Sequence, residues 1–88
     1  MNHISHPEII KRLKQAHGQL ASVLSMFIDG RSCMDLAQQL QAVESIIRTS
    51  KRTLIHDHME HCIGDALGEG GLSADAALRE FKSLSKYL

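Results

Sequence analysis

The chain has 88 residues, enough for one small domain whose core calls for help from a metal, a disulfide or a second copy. Ten Lys and Arg balance ten Asp and Glu, so the net charge is zero with neutral His. That excludes a histone-like polycation and an acidic tail, but not a local basic patch.

A hydrophobic content of 43% excludes a disordered chain. No apolar run approaches the ~18 residues of a membrane span, so no membrane partner is expected. The opening Met-Asn-His-Ile-Ser-His-Pro lacks the basic and apolar regions of a signal peptide. A cytoplasmic protein is expected, in which two cysteines serve as ligands or redox thiols rather than as a staple. Six His in so short a chain stand out.

The single proline, Pro7, stands where the first position of a helix would be. From there Ile9, Ile10, Leu13, Ala16, Leu20, Val23, Leu24, Phe27 and Ile28 recur at steps of three and four. This predicts an amphipathic helix closing at Asp29-Gly30. A second periodic stretch runs from about Cys33 to about Gly64 with no glycine or proline inside it. At ~1.5 Å per residue it would be about 46 Å long, longer than a small domain is wide. Gly68, Gly70 and Gly71 break the chain, and Ser73 is positioned to cap a short third helix with Leu78, Phe81, Leu84 and Leu88 on its apolar side. Nothing alternates as strands do. The expected fold is all-α, three helices with a long middle one, in a single domain over residues 1–88 with 1–6 as a flexible arm.

So long a helix cannot bury its stripe against two shorter ones. Leu36, Leu40, Val43, Ile47 and Leu54 follow a heptad-like spacing, the pattern of a seam with another helix. A symmetric dimer through antiparallel middle helices is the simplest arrangement.

Three metal-ligand types stand on that helix: Cys33, His58 and Cys62. His58 and Cys62 are four apart and share a face. Cys33 lies 25 positions before His58 and 29 before Cys62. At about 100° per residue those offsets put it within ~20° of each, on the stripe of Leu36, Leu40, Val43 and Ile47. Along one straight helix Cys33 and His58 stand roughly 37 Å apart, so they meet only if an antiparallel partner supplies the other half. The phase therefore predicts two intersubunit sites per dimer. Two thiolates and an imidazole form a soft set that favours Cu(I). A four-coordinate zinc site needs one more ligand, with His61, Glu60 or the N-terminal arm available. Met1-Asn2-His3 is itself a chelate, and with His6 nearby the arm offers donors for Ni(II) or Co(II). His17 and His56 read as ordinary helix residues.

Charge is clustered despite its balance. Residues 9 to 28 hold Lys11, Arg12 and Lys14 with no acid, and residues 45 to 56 hold Arg48, Lys51 and Arg52 with none. Residues 57 to 75 carry five acids and no Lys or Arg. A basic middle repeated by symmetry suits DNA phosphates. No paired carboxylates, Ser-His-Asp set or phosphate loop stands out, so an enzyme is not expected.

The spacing of Cys33, His58 and Cys62, Gly18-Gln19-Leu20, Gln38-Gln39-Leu40-Gln41-Ala42-Val43 and His58-Met59-Glu60-His61-Cys62 together resemble the CsoR/RcnR family of bacterial metal-sensing repressors, over about residues 4 to 88. The resemblance implies a disc-shaped tetramer, a dimer of dimers, whose apo form binds operator DNA and whose metal-bound form releases it. It matches Cys33, His58 and Cys62 to the copper-sensor ligands and Arg12 to a basic DNA-contacting position. Arg48, Lys51 and Arg52 fall in the contributing region of the middle helix. Three residues depart from the pattern. Glu44 stands where nickel and formaldehyde sensors carry Arg, Ser32 where copper sensors often have Tyr, and His3 lies two residues nearer the cysteine than in the nickel–cobalt branch. A Cu(I)-responsive repressor is the expected function. The alternatives are a Ni(II)- or Co(II)-responsive repressor using the N-terminal His, and a thiol or persulfide sensor through Cys33–Cys62, which leaves His58 without a part.

Overall fold

A computed structural model of the chain describes residues 5–67 and 73–88, with 62–67 described by their backbone alone. The order is α1 (His6–Ile28), α2 (Cys33–Leu67) and α3 (Ala74–Ser85). No strand occurs among the described residues, as the periodicity predicts. No helix among them is long and apolar enough to cross a membrane.

The ends of the helices follow from local chemistry. Gly30, at φ +71, closes α1 in the left-handed region that a glycine enters without a Cβ clash. Around it Arg31 N–H donates to the Met26 carbonyl and Gly30 N–H to that of Phe27, at 3.0 and 3.2 Å. These are the two bonds of a Schellman stop. Ser32 then caps α2, its hydroxyl oxygen accepting from Asp35 N–H at 3.1 Å. Ser73 caps α3 in the same way, accepting from Ala76 N–H at 3.2 Å, as expected. α1 begins at His6, one residue ahead of the expected Pro7 start. α2 runs three residues past Gly64 to Leu67. One interior glycine costs about 1 kcal/mol, which a helix of 35 residues absorbs, and the expected break at Gly68, Gly70 and Gly71 lies outside the described residues.

The chain divides into two compact units, one of residues 7–50 and one of residues 1–6 with 51–88. In the 7–50 unit α1 and the first half of α2 form a helical hairpin. Ala16, Val23, Leu36 and Val43 make its buried cluster, with Met26 and Ile46 packed against them. The buried positions recur every seven residues on both helices: Ile9, Ala16 and Val23 on α1, and Leu36, Val43 and Ser50 on α2. Ser50 turns its hydroxyl back to the Ile46 carbonyl at 2.8 Å, which satisfies it inside the hairpin.

The seam expected over Leu36, Leu40, Val43, Ile47 and Leu54 thus splits in two. Leu36 and Val43 are consumed within the chain, whereas Leu40, Ile47 and Leu54 remain more than two-fifths exposed. On α1 the line of Leu13, Leu20 and Phe27, also seven apart, is left exposed as well. The in-chain lines are built from smaller side chains, which let two helices approach closely. The 51–88 unit buries Ile55 and leaves Leu78, Phe81 and Leu88 of the third-helix region exposed.

Replacing Gly30 by Ala forces a Cβ into the left-handed region and is expected to cost about 1 kcal/mol. Thermal unfolding should show a fall of about 5 °C, and an unchanged midpoint would mean that this turn does not need glycine.

Candidate metal centre and basic surfaces

Cys33 is the first residue of α2, is exposed and carries a free thiol. It belongs to the 7–50 unit, while His58 and His61 belong to the 51–88 unit, 25 and more residues further along the same unbroken helix. Cys62 continues α2, and its side chain lies outside the described residues, as does the whole of His3. Among the described residues of a single chain, no group of three or more His, Cys, Asp or Glu stands ready to hold a metal ion.

Within the 51–88 unit His58 is held from an unexpected direction. Its Nε2 lies 2.5 Å from Glu80 Oε1 on α3, with both side chains about a third exposed. With its proton on Nε2 the ring donates to the Glu80 carboxylate. A carboxylate on the far nitrogen is the usual way a metal-ligating imidazole is oriented.

His61 turns elsewhere. Its Nε2 lies 3.6 Å from Asp57 Oδ1, one turn earlier on the same helix. Asp57 is largely buried, and its other oxygen accepts the Ser5 hydroxyl at 2.5 Å. Ser5 and His6 are the described members of the expected arm, and His6 opens α1 half-buried. Glu60, His17 and His56 are exposed.

Sequence reasoning missed Glu80, Asp57 and Ser5. No spacing signal links residues 22 or 52 apart. The one available hint is that Glu80 stands one turn before Leu84, about 40° from that apolar position, rather than on the far face of α3.

The basic residues divide between the units. Lys11, Arg12, Lys14 and Arg48 lie in the hairpin, and Lys51 and Arg52 in the 51–88 unit. All are exposed except Arg12, which is half-buried. Arg12 stands 3.7 Å from Glu8, and Arg48 is bonded to Glu44 at 2.5 Å. Such surface pairs one turn apart contribute only about 0.3–0.5 kcal/mol each, so a phosphate can displace the acid. In the hairpin an open groove of about 260 Å³ brings Arg12 and Gln15 of α1 together with Ser45, Ile46 and Thr49 of α2. A guanidinium, an amide and two hydroxyls there offer donors to an anion. The charge pattern alone had kept these two helices in separate clusters.

Comparison with known proteins fits this arrangement. The profile of the family described as metal-sensitive transcriptional repressor matches residues 5–86. The copper-sensing transcriptional repressor RicR of Mycobacterium tuberculosis is 36% identical over 70 residues, covering 80% of this chain and 73% of RicR. The copper-sensing transcriptional repressor CsoR of Bacillus subtilis is 33% identical over 91 residues, covering 98% of this chain and 90% of CsoR. Among solved structures, the nickel-responsive transcriptional regulator InrS superposes with a TM-score of 0.86 at 27% identity, covering 100% of this chain and 98% of InrS. Its fold is the same three-helix arrangement, and proteins of this family are transcriptional repressors, not enzymes. The resemblance read from the cysteine, histidine and glutamine motifs is therefore membership: the chain belongs to the metal-sensitive transcriptional repressors of the CsoR/RcnR family.

Proposed function

We propose that this repressor responds to Cu(I) through a site shared between subunits, with Cys33 of one chain and His58 and Cys62 of the partner subunit as ligands. The observation that carries the reading is the His58–Glu80 contact, in which a carboxylate from α3 orients the imidazole through one ring nitrogen. Cys33 and His58 stand 25 residues apart on one unbroken helix, so a second chain must bring them together. The exposed heptad line of Leu40, Ile47 and Leu54 supports an antiparallel dimer as the means, and the exposed line of Leu13, Leu20 and Phe27 supports further pairing into a tetramer. Two thiolates with one imidazole suit the low coordination number of Cu(I). The similarity to the copper sensors RicR and CsoR points the same way.

In the apo form Lys11, Arg12, Lys14, Arg48, Lys51 and Arg52 contact operator phosphates. Closure of Cys33 onto the partner subunit fixes the relative rotation of the two middle helices and moves those cations out of register. By linkage, whatever favours the closed form weakens DNA binding by the same factor. Work in the cytoplasm, where thiols stay reduced, suits such a site. A second reading, a Ni(II)- or Co(II)-responsive repressor that adds His3, is favoured by the likeness to InrS. His61, whose Nε2 faces Asp57, is a further donor in that reading.

Anisotropy of a labelled DNA fragment from upstream of the gene tests both readings, with Cu(I), Ni(II) and Co(II) added separately under anaerobic conditions. Release by Cu(I) alone supports the first. Release by Ni(II) or Co(II) that disappears with His3→Ala selects the second. In the same assay Cys33→Ala should bind DNA as the wild type does yet no longer release it, and a variant that fails to bind DNA would overturn the allosteric account. Glu80→Gln should weaken metal binding by about tenfold to a hundredfold in competition with a chelator, because the ring loses its orienting carboxylate. Arg52→Gln should lower the slope of log affinity against log salt by about 0.9, and an unchanged slope removes Arg52 from the DNA surface.

A further inference from the structure

The least expected polar contact in the chain joins Ser5 to Asp57, 52 residues apart. Asp57 has only 13% of its side chain exposed, and a carboxylate so placed is costly unless it is paired. The Ser5 hydroxyl donates to its Oδ2 and His61 flanks its Oδ1. A hydroxyl bonded to an ionised acceptor is among the stronger hydrogen bonds available to a side chain. Ser5 is also the residue immediately before α1, so the bond ties the start of that helix to Asp57 of α2.

Both ends of this bond sit beside machinery. Asp57 precedes His58 on α2 and points about 100° away from it, so it shares the ligand's turn without competing for the ion. Ser5 precedes Lys11, Arg12 and Lys14 by less than three helical turns. Resting on the function proposed above, we infer that the Ser5–Asp57 hydrogen bond is the link that carries a change at the His58 turn to the start of α1. Ser5 and Asp57 are positioning residues. When the His58 turn shifts on closure of the site, Asp57 shifts with it and Ser5 draws the first turns of α1 along. The cations of α1 then leave the phosphates.

The test uses the full chain with Ser5→Ala, which removes the donor, and Ser5→Thr, which keeps it. Three quantities are measured: operator affinity with and without metal, metal affinity by chelator competition, and amide hydrogen exchange over residues 6–12. For Ser5→Ala, apo operator affinity and metal affinity are expected to stay within about twofold of wild type, while the ratio of apo to metal-bound operator affinity falls by about tenfold. Exchange at the start of α1 should stop responding to metal, and Ser5→Thr should restore both. A wild-type ratio in Ser5→Ala overturns the inference. So does a loss of apo operator affinity equal to the loss in the ratio, which would make the bond a structural cap. If no metal releases wild-type protein from DNA, the sensor reading fails on its own. Exchange over residues 6–12 then decides the link, which stands if the response to metal is present in wild type and absent in Ser5→Ala, and falls otherwise.

Discussion

The molecule depends on one unbroken helix being shared by two units. The hairpin unit takes the first half of α2 and buries Leu36, Val43 and Ser50 in it. The other unit takes the second half, buries Ile55, and spends Asp57 and His58 on contacts to Ser5 and Glu80. A helix can serve two units only while its hydrogen-bond ladder stays intact, because the cooperative ladder is what keeps the phase of residues far apart in sequence. The site proposed for Cys33, His58 and Cys62 depends on that phase, and a proline anywhere between them would disrupt it however well each unit survived.

The division of apolar residues into two heptad lines gives each helix two tasks. The line of smaller residues, Ile9, Ala16 and Val23 facing Leu36, Val43 and Ser50, closes the hairpin. The line of larger ones, Leu13, Leu20 and Phe27 on α1 and Leu40, Ile47 and Leu54 on α2, stays half-exposed. An apolar surface of that kind on so small a chain is a liability unless a second copy covers it. Assembly and sensing are then the same requirement, since the proposed ligands meet only across such an interface.

Charge balance would restrain the proposed DNA surface. Glu8 and Glu44 stand one turn before Arg12 and Arg48, the favourable direction for a helical pair. They stiffen the helices slightly and mask two cations until a phosphate competes for them. With a net charge of zero, attraction to DNA at long range is weak, and binding relies on short-range contacts that salt readily disrupts. The release proposed above is served by that weakness.

The sequence by itself determined the three helices, the stop of the first at Gly30 and the cap of the third at Ser73. Each of these depends on residues within about four positions or on helical phase, which a sequence carries in full. Tertiary packing decided which apolar line closes the hairpin, because the two lines on each helix lie within about 40° and periodicity cannot separate them. Packing also decided that Glu80 holds His58 and that Ser5 is tied to Asp57, contacts spanning 22 and 52 residues. Such partners are chosen by where whole helices come to rest, and no local pattern in the chain records that.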